Sequence, residues 1–316
     1  MILKSKILIE ILIPTYNRIR DLKKNIRLIN ELVLSEKLSE QISLRISDNN
    51  SNDGTYDKID KLLKKVSFKY KIYKQKKNIG LEKNVIFLLS KVQSKFFMFL
   101  GDDDFIPKNY LSYIINCIKN NDNLASIIPA YTLVDYEGKL TKRRIKRFNE
   151  KRYRKGFYST LILSKYGHQM SGVVNLTKDV LHNYLMFREN RNIYPFIFFL
   201  ATNTKRGDVY FCPKFSIKVA SYNDKDWEYN EIGLLDEVLK NYKSIYIKSA
   251  LKQLLCIFSL ILYQPWRLGK INNLKNTIDS YLILNKIIDF GIIGRMSFVI
   301  LYFYLFVRLK LSKLKK

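Results

Sequence analysis

Between residues 7 and 104 the chain alternates short apolar runs with stretches of helical period. Ile7 to Ile13 is almost continuously apolar and closes at Pro14, as a buried parallel strand does. Leu22, Ile26, Ile29 and Val33 then repeat at helical spacing within Asp21 to Leu34. Ile42, Leu44 and Ile46 alternate as a strand before the turn-rich segment Asp48 to Thr55. Ile59, Leu62 and Leu63 mark a second helix, and Phe68 to Tyr73 a third strand. Asn78 and Gly80 make a turn, and Val85, Ile86 and Leu89 mark a third helix. Phe96 to Leu100 is a fourth apolar run, ending at Gly101-Asp102-Asp103-Asp104.

Strand and helix alternating over short connections require a mostly parallel sheet with helices on both faces, an α/β fold. Ligands bind such sheets at the carboxyl ends of the strands. The polar segments after Ile13, Ser47 and Leu100 therefore converge on one edge, although they lie far apart in sequence.

Beyond Pro107 the pattern is looser. Leu111 to Ile118 reads as a helix, and Leu124 to Val134 as a strand followed by a hairpin turn at Glu137-Gly138-Lys139. Thr141 to Gly156 is crowded with lysine and arginine and reads as a mobile basic loop. Met170 to Leu176 reads as a strand leading into a helix from Lys178, and Tyr210 to Val219 as a further strand. From about Tyr229 onward the chain reads as helical, with Lys243 to Tyr263 one amphipathic helix.

Charge narrows the partners. Lysine and arginine number 56 against 28 acidic residues, a formal charge of +28, which calls for an anionic partner. Cys117, Cys212 and Cys256 are widely spaced and form neither a metal pattern nor a disulfide framework. Met1 to Ile13 does not read as a secretory signal.

Asp102, Asp103 and Asp104 follow a buried strand directly. Adjacent carboxylates repel unless a cation or hydrogen-bond donors sit among them. Carboxylate oxygens suit Mg²⁺ or Mn²⁺, and Mg²⁺ completes its shell with substrate phosphates and water. The plain alternative is a solvated acidic turn capping the next helix. Asp48 suits a hydrogen bond from a base or ribose hydroxyl, or a simple Asx turn.

Taken together, Ile11 to Arg18, Ser47 to Thr55, Asn78-Ile79-Gly80 and Leu100 to Asp104 resemble the family 2 glycosyltransferases in order and spacing. The resemblance covers roughly the first 135 residues, and more weakly the chain to about residue 220. It implies a GT-A fold, a nucleotide-diphosphate sugar donor, a divalent metal (Mg²⁺ or Mn²⁺) and inversion at the anomeric carbon. Pro14, Thr15, Tyr16, Arg18, Asp48, Asn78, Gly80, Asn84, Asp102 and Asp103 would then bind the donor. Asp104 would hold the metal, with Asp102 nearer the ribose. Relatives often carry Asp where this chain has Gly101, which leaves open which aspartate meets the ion.

An inverting transfer needs a carboxylate base for the acceptor hydroxyl. No Glu-Asp pair stands where many relatives have one, so Glu189, Asp179 and Asp208 are the candidates, and His168 is a candidate acceptor contact. Met296 to Val307 is apolar between Arg295 and Arg308 and too short to span a bilayer, so an interfacial helix is expected. The alternative is a helical subdomain. The domains expected are residues 1–225, divided at 135 into donor and acceptor halves, and a basic helical region 226–316. The acceptor expected is a polyisoprenyl-diphosphate-linked saccharide. The location expected is the cytoplasmic face of a bacterial inner membrane, in surface-polysaccharide synthesis. Competing readings are a nucleic-acid-binding protein, which has the charge but no binding motif, and a nucleotidyltransferase, whose glycine-rich loop is missing at Pro14 to Arg18.

Overall fold

The computed structural model describes residues 7–135, 139–143, 149–187, 191–221, 235–268, 282, 296–301, 303–305 and 307. It divides into two compact units, one made of Met1–Lys155, Gln169–Leu185 and Arg206–Asp224, the other of Gly156–His168, Met186–Lys205 and Lys225–Lys316.

The first unit opens with the expected alternation: β1 (Ile9–Thr15), α1 (Ile19–Ser35), β2 (Ile42–Asp48), α2 (Thr55–Leu63), β3 (Lys69–Lys74), α3 (Leu81–Ser90), β4 (Phe96–Phe99) and α4 (Tyr110–Asn120). It continues through β5 (Leu124–Val134), β6 (Leu140–Arg143) and β7 (Lys151–Tyr153). β8 (Val174–Leu176), α6 (Val180–Leu185) and β9 (Asp208–Ala220) complete it. The strands form a single sheet in the order β3-β2-β1-β4-β8-β5-β9-β7, with β6 paired to β5. β1 to β4 run parallel, β8 runs antiparallel to both β4 and β5, and β9 runs parallel to β5. β5 and β9 therefore point the same way as β1 to β4. The fold class expected from the sequence is the one observed.

Every residue of β1, β2 and β4 is buried, which is why these strands read as continuous apolar runs. Glu10 and Arg45 stand inside that core as an ion pair, and Arg45 also donates to Tyr73 Oη at 2.9 Å. α1 buries Leu22, Ile26, Ile29 and Val33, the positions its periodicity predicts, and also Asn25.

The region expected to be one basic loop, Thr141 to Gly156, instead contributes β6 and β7. Neither strand needs apolar content, because each is held by backbone pairing to β5 or β9. Glu137 and Gly138 of the expected hairpin lie outside the described residues.

The second unit comprises α5 (Phe157–Leu163), a 3₁₀ segment (Ser164–His168), α7 (Pro195–Thr204), α8 (Leu235–Ile245), α9 (Ala250–Tyr263) and a second 3₁₀ turn (Pro265–Leu268). α7 is buried around nearly its whole circumference, as a central helix is. The single helix expected over Lys243 to Tyr263 is two. The chain breaks after Ile245 and restarts at Ser249, whose side chain caps α9 by accepting from Lys252 N. Gln253 ties the ends together by donating to Lys243 O and Tyr246 O at 2.8 and 3.0 Å. Where described, residues 296–307 are helical. Phe298, Leu301 and Leu305 are buried, while Met296, Val299, Ile300, Phe303, Tyr304 and Val307 are exposed.

Candidate functional site

Three loops meet at the carboxyl edge of the sheet, and side chains from each lock the others. Thr15, the last residue of β1, pairs in register with Asp48, the last residue of β2. Thr15 Oγ1 donates to Asp102 Oδ2 at 2.7 Å, which links β1 to the loop after β4. The β1 and β2 loops are stapled reciprocally: Asn17 N donates to Ser51 Oγ at 2.8 Å, and Asn52 N to Asn17 Oδ1 at 3.0 Å. Asp53 caps both following helices, accepting from Thr55 N at 2.9 Å and from Ile19 N at 3.2 Å.

Asp48 is fully buried. Its Oδ1 accepts from Ser51 N at 3.1 Å and from Ser51 Oγ, while its Oδ2 is buried without a hydrogen-bond partner. A buried carboxylate oxygen lacking a donor is costly, and a ligand N–H or O–H relieves that cost.

The Asn78 turn is built from β2 outward. Asn49 Nδ2 donates to Asn78 Oδ1 at 2.8 Å, Asn78 Oδ1 also accepts from Gly80 N at 2.9 Å, and Ile79 N donates to Asn49 Oδ1 at 2.9 Å. Asn84 is buried, with its amide spent on Ser47: it accepts from Ser47 Oγ at 2.6 Å and donates to Ser47 O at 3.0 Å. These bonds hold α3 against β2.

The aspartate loop folds back on Gly101. A Cβ there would stand 2.8 Å from Asp104 Oδ2 and 3.2 Å from Asp103 Oδ1, so a side chain at 101 would displace those carboxylates. Asp104 is only 5% exposed. Ser171 Oγ donates to its Oδ2, and Ala220 N donates to its Oδ1 at 3.2 Å. The same Ser171 hydroxyl accepts from Gly101 N at 2.8 Å. Asn25 Nδ2 donates to Gly101 O at 3.0 Å from α1. Asp104, the residue expected at the metal, is thus taken up in holding the loop, and Asp102 and Asp103 are the partly exposed members. Burial, then the charge of Asp103, drives the Asp102 carboxyl well above the usual range, against the pull of Thr15 and Arg18. Among the described residues no three acidic, His or Cys side chains converge as a complete cage. Asp102 and Asp103 alone would give a hard ion at most two protein carboxylates.

The candidate bases fall elsewhere. Asp208 begins β9, and Asp179 follows β8, which runs the other way; both lie on the edge opposite Asp102. Asp208 is paired with Arg152, whose Nε donates at 2.9 Å, and Asp179 with Arg206 at 3.3 Å. Neither reaches the edge that carries Asp102. Glu189 lies outside the described residues. His168 belongs to the helical unit, with Nδ1 2.8 Å from Lys165 O and its ring edge-on to Tyr263.

Reading the sequence gave no individual role to Asn25, Ser51, Asp53 or Ser171. An asparagine on the apolar stripe of α1 was a signal for Asn25. Nothing local marks Ser171, because it meets Gly101 and Asp104 only through the sheet.

The sequence matches the family described as Glycosyl transferase family 2 over residues 10–171, just over half of the 316 residues. It is similar to abequosyltransferase RfbV of Salmonella typhimurium (strain LT2), 32% identical over 107 residues, or 34% of this chain and 31% of that protein. The match therefore spans about a third of that relative. In structure the chain resembles S. aureus TarS 1–349 in complex with UDP-GlcNAc (TM-score 0.64, 13% identity, 89% of this chain, 80% of that one). It also resembles the mannosyltransferase PcManGT from Pyrobaculum calidifontis in complex with GDP-Man and Mn²⁺ (TM-score 0.56, 10% identity, 94% and 79%). At such identities the likeness is one of fold, which is GT-A.

Proposed function

Because the chain belongs to glycosyl transferase family 2, we propose that it moves a sugar, with inversion, from a nucleotide-diphosphate donor to a lipid-linked saccharide in surface-polysaccharide synthesis. The observation carrying this is the bonded series Asp48, Thr15 and Asp102 at one sheet edge, with a buried Asp48 oxygen left for a donor group. Pro14, Thr15, Tyr16 and Arg18 form one wall for the nucleotide, and Asn78 with Gly80 the other. Asp48 accepts from the base or ribose. Asp102 and Asp103 would hold Mg²⁺ or Mn²⁺, which supplies charge stabilisation to the leaving diphosphate. The acceptor hydroxyl attacks the anomeric carbon, its proton passes to a carboxylate, and the bond from that carbon to the diphosphate oxygen breaks. Asp179 and Asp208 are committed to arginines on the other edge, and Glu189, the third candidate, lies outside the described residues.

Donor binding is testable without knowing the acceptor. In a thermal-shift screen of UDP-, GDP-, CMP- and dTDP-sugars with Mn²⁺, one nucleotide class should raise Tm by mass action. Asp48→Asn, which places an N–H or a weaker acceptor where the carboxylate was, should weaken that ligand about tenfold or more. An unchanged affinity removes Asp48 from the site.

The membrane reading is supported by the exposed apolar row on residues 296–307, whose spacing of three and four places it on one helix face. No helix among the described residues is long and apolar enough to cross a membrane. An amphipathic helix lying in the interface accounts for both facts. With labelled donor and membranes, label should appear in the lipid extract. Label found only in soluble oligosaccharide rejects the lipid-linked acceptor. Val299→Ser/Ile300→Ser/Phe303→Ser should sharply reduce flotation with vesicles of neutral lipid, and full flotation of that variant rejects the interfacial helix.

A further inference from the structure

A groove of about 510 Å³ runs along the outer face of α1, lined by Arg20, Lys23, Lys24 and Arg27 and closed by Lys58 of α2, with Glu31 at its far end. The cations sit where a helix least favours them. Arg20 and Lys24, and Lys23 and Arg27, are like charges four residues apart. Arg20, Lys23 and Lys24 lie in the first two turns, against the positive end of the helix dipole. Elsewhere on the surface lysines take carboxylates, as Lys64 does with Asp60 at 3.4 Å and Lys214 with Glu150 at 2.7 Å. Among the described residues no carboxylate stands within ion-pair distance of Lys23, Lys24, Arg27 or Lys58. Lys24 lies over the Phe105 ring, next to the aspartate loop, so the groove begins beside the donor site.

We propose that this groove seats the phosphates of anionic lipid headgroups. It is a second, electrostatic membrane contact, distinct from the apolar helix face, and it rests on the membrane reading above. Spaced cations in a groove with no aromatic residue in its lining suit phosphates on a surface, whereas single-stranded nucleic acid would want stacking platforms along it.

The test uses the full chain and sedimentation with vesicles of phosphatidylcholine, with and without phosphatidylglycerol. Arg20→Gln/Lys23→Gln/Lys24→Gln/Arg27→Gln keeps good helix formers and removes only charge. It should bind the anionic vesicles at least about thirtyfold more weakly than wild type, a conservative figure for four cations near a charged surface. A control with the same loss of charge, Lys61→Gln/Lys65→Gln/Lys69→Gln/Lys71→Gln, should lose less than a third of that in logarithmic terms. Equal losses in the two variants overturn the groove and leave only net charge. Unchanged binding of the groove variant overturns the groove but not the membrane reading, whereas wild type failing to bind anionic vesicles overturns both. Groove-dependent binding of inorganic pyrophosphate without vesicle binding assigns the site to free phosphate and rejects lipid. Groove-dependent binding of a single-stranded oligonucleotide tighter than that of vesicles rejects it in favour of nucleic acid.

Discussion

Asp103→Asn should lower sugar transfer by on the order of a hundred- to a thousandfold while leaving the fold intact or slightly more stable. Two effects of opposite sign meet at this residue. In transfer, the substitution removes half of the carboxylate pair proposed to hold the cation on the donor diphosphate. In the protein alone, Asp103 is a source of repulsion, since its charge helps to raise the Asp102 carboxyl. The sign with pH follows. An aspartate whose folded pKa lies above its unfolded value of 3.8 binds more protons folded than unfolded. Stability is therefore lost as pH rises through 3.8 towards the folded value, and Asp103→Asn should flatten that loss. Urea titrations across this window, with and without Mn²⁺, check both halves. Asp104→Asn separates the roles, because one amide oxygen cannot accept from both Ser171 Oγ and Ala220 N. It should cost about 1–3 kcal/mol of stability as well as activity. Should Asp104→Asn spare stability and Asp103→Asn spare transfer, the division of labour in the aspartate loop is wrong.

The β1 to β4 half of the sheet is legible in the sequence because its signals are local. Pro14 stops β1, Gly54 and Asp53 set the start of α2, and the period of Leu22, Ile26, Ile29 and Val33 matches the face α1 buries. Each strand also ends in a polar loop, so convergence at one edge follows from parallel topology alone. What failed was non-local. Asp179 and Asp208 look like free acids in sequence, and only the reversed direction of β8 and the register of β9 put them on the far edge. β6 and β7 have no apolar pattern to read, because edge strands are specified by neighbours already in place. Asp104 looked the best metal ligand by position, and its partners, Ser171 and Ala220, come from the strands that fold in from later in the chain. The break between α8 and α9 had a local signal, Ser249 as a cap, masked by uninterrupted helical periodicity on either side.

Glu10→Ala should destabilise the fold by about 3–5 kcal/mol, the largest stability effect expected from one substitution here. Glu10 sits in an otherwise apolar strand. Its carboxylate is 3% exposed and the Arg45 guanidinium 9% exposed, so both charges have left water. Glu10 Oε1 accepts from Arg45 Nη2 at 3.2 Å and from Gln93 N at 3.1 Å, and Arg45 has a further partner in Tyr73 Oη. Removing the carboxylate leaves a guanidinium in the sheet without its anion and a Gln93 amide without its acceptor. The cost is that of orphaned groups, not the net value of the pair. The distinction has its own measurement, because Glu10→Leu with Arg45→Met removes both charges and refills the space. Urea unfolding of the double variant should recover most of the single variant's loss. A double variant as unstable as Glu10→Ala would mean that the pair itself stabilises β1 against β2, and that the interior of this sheet depends on ionic contact rather than apolar packing.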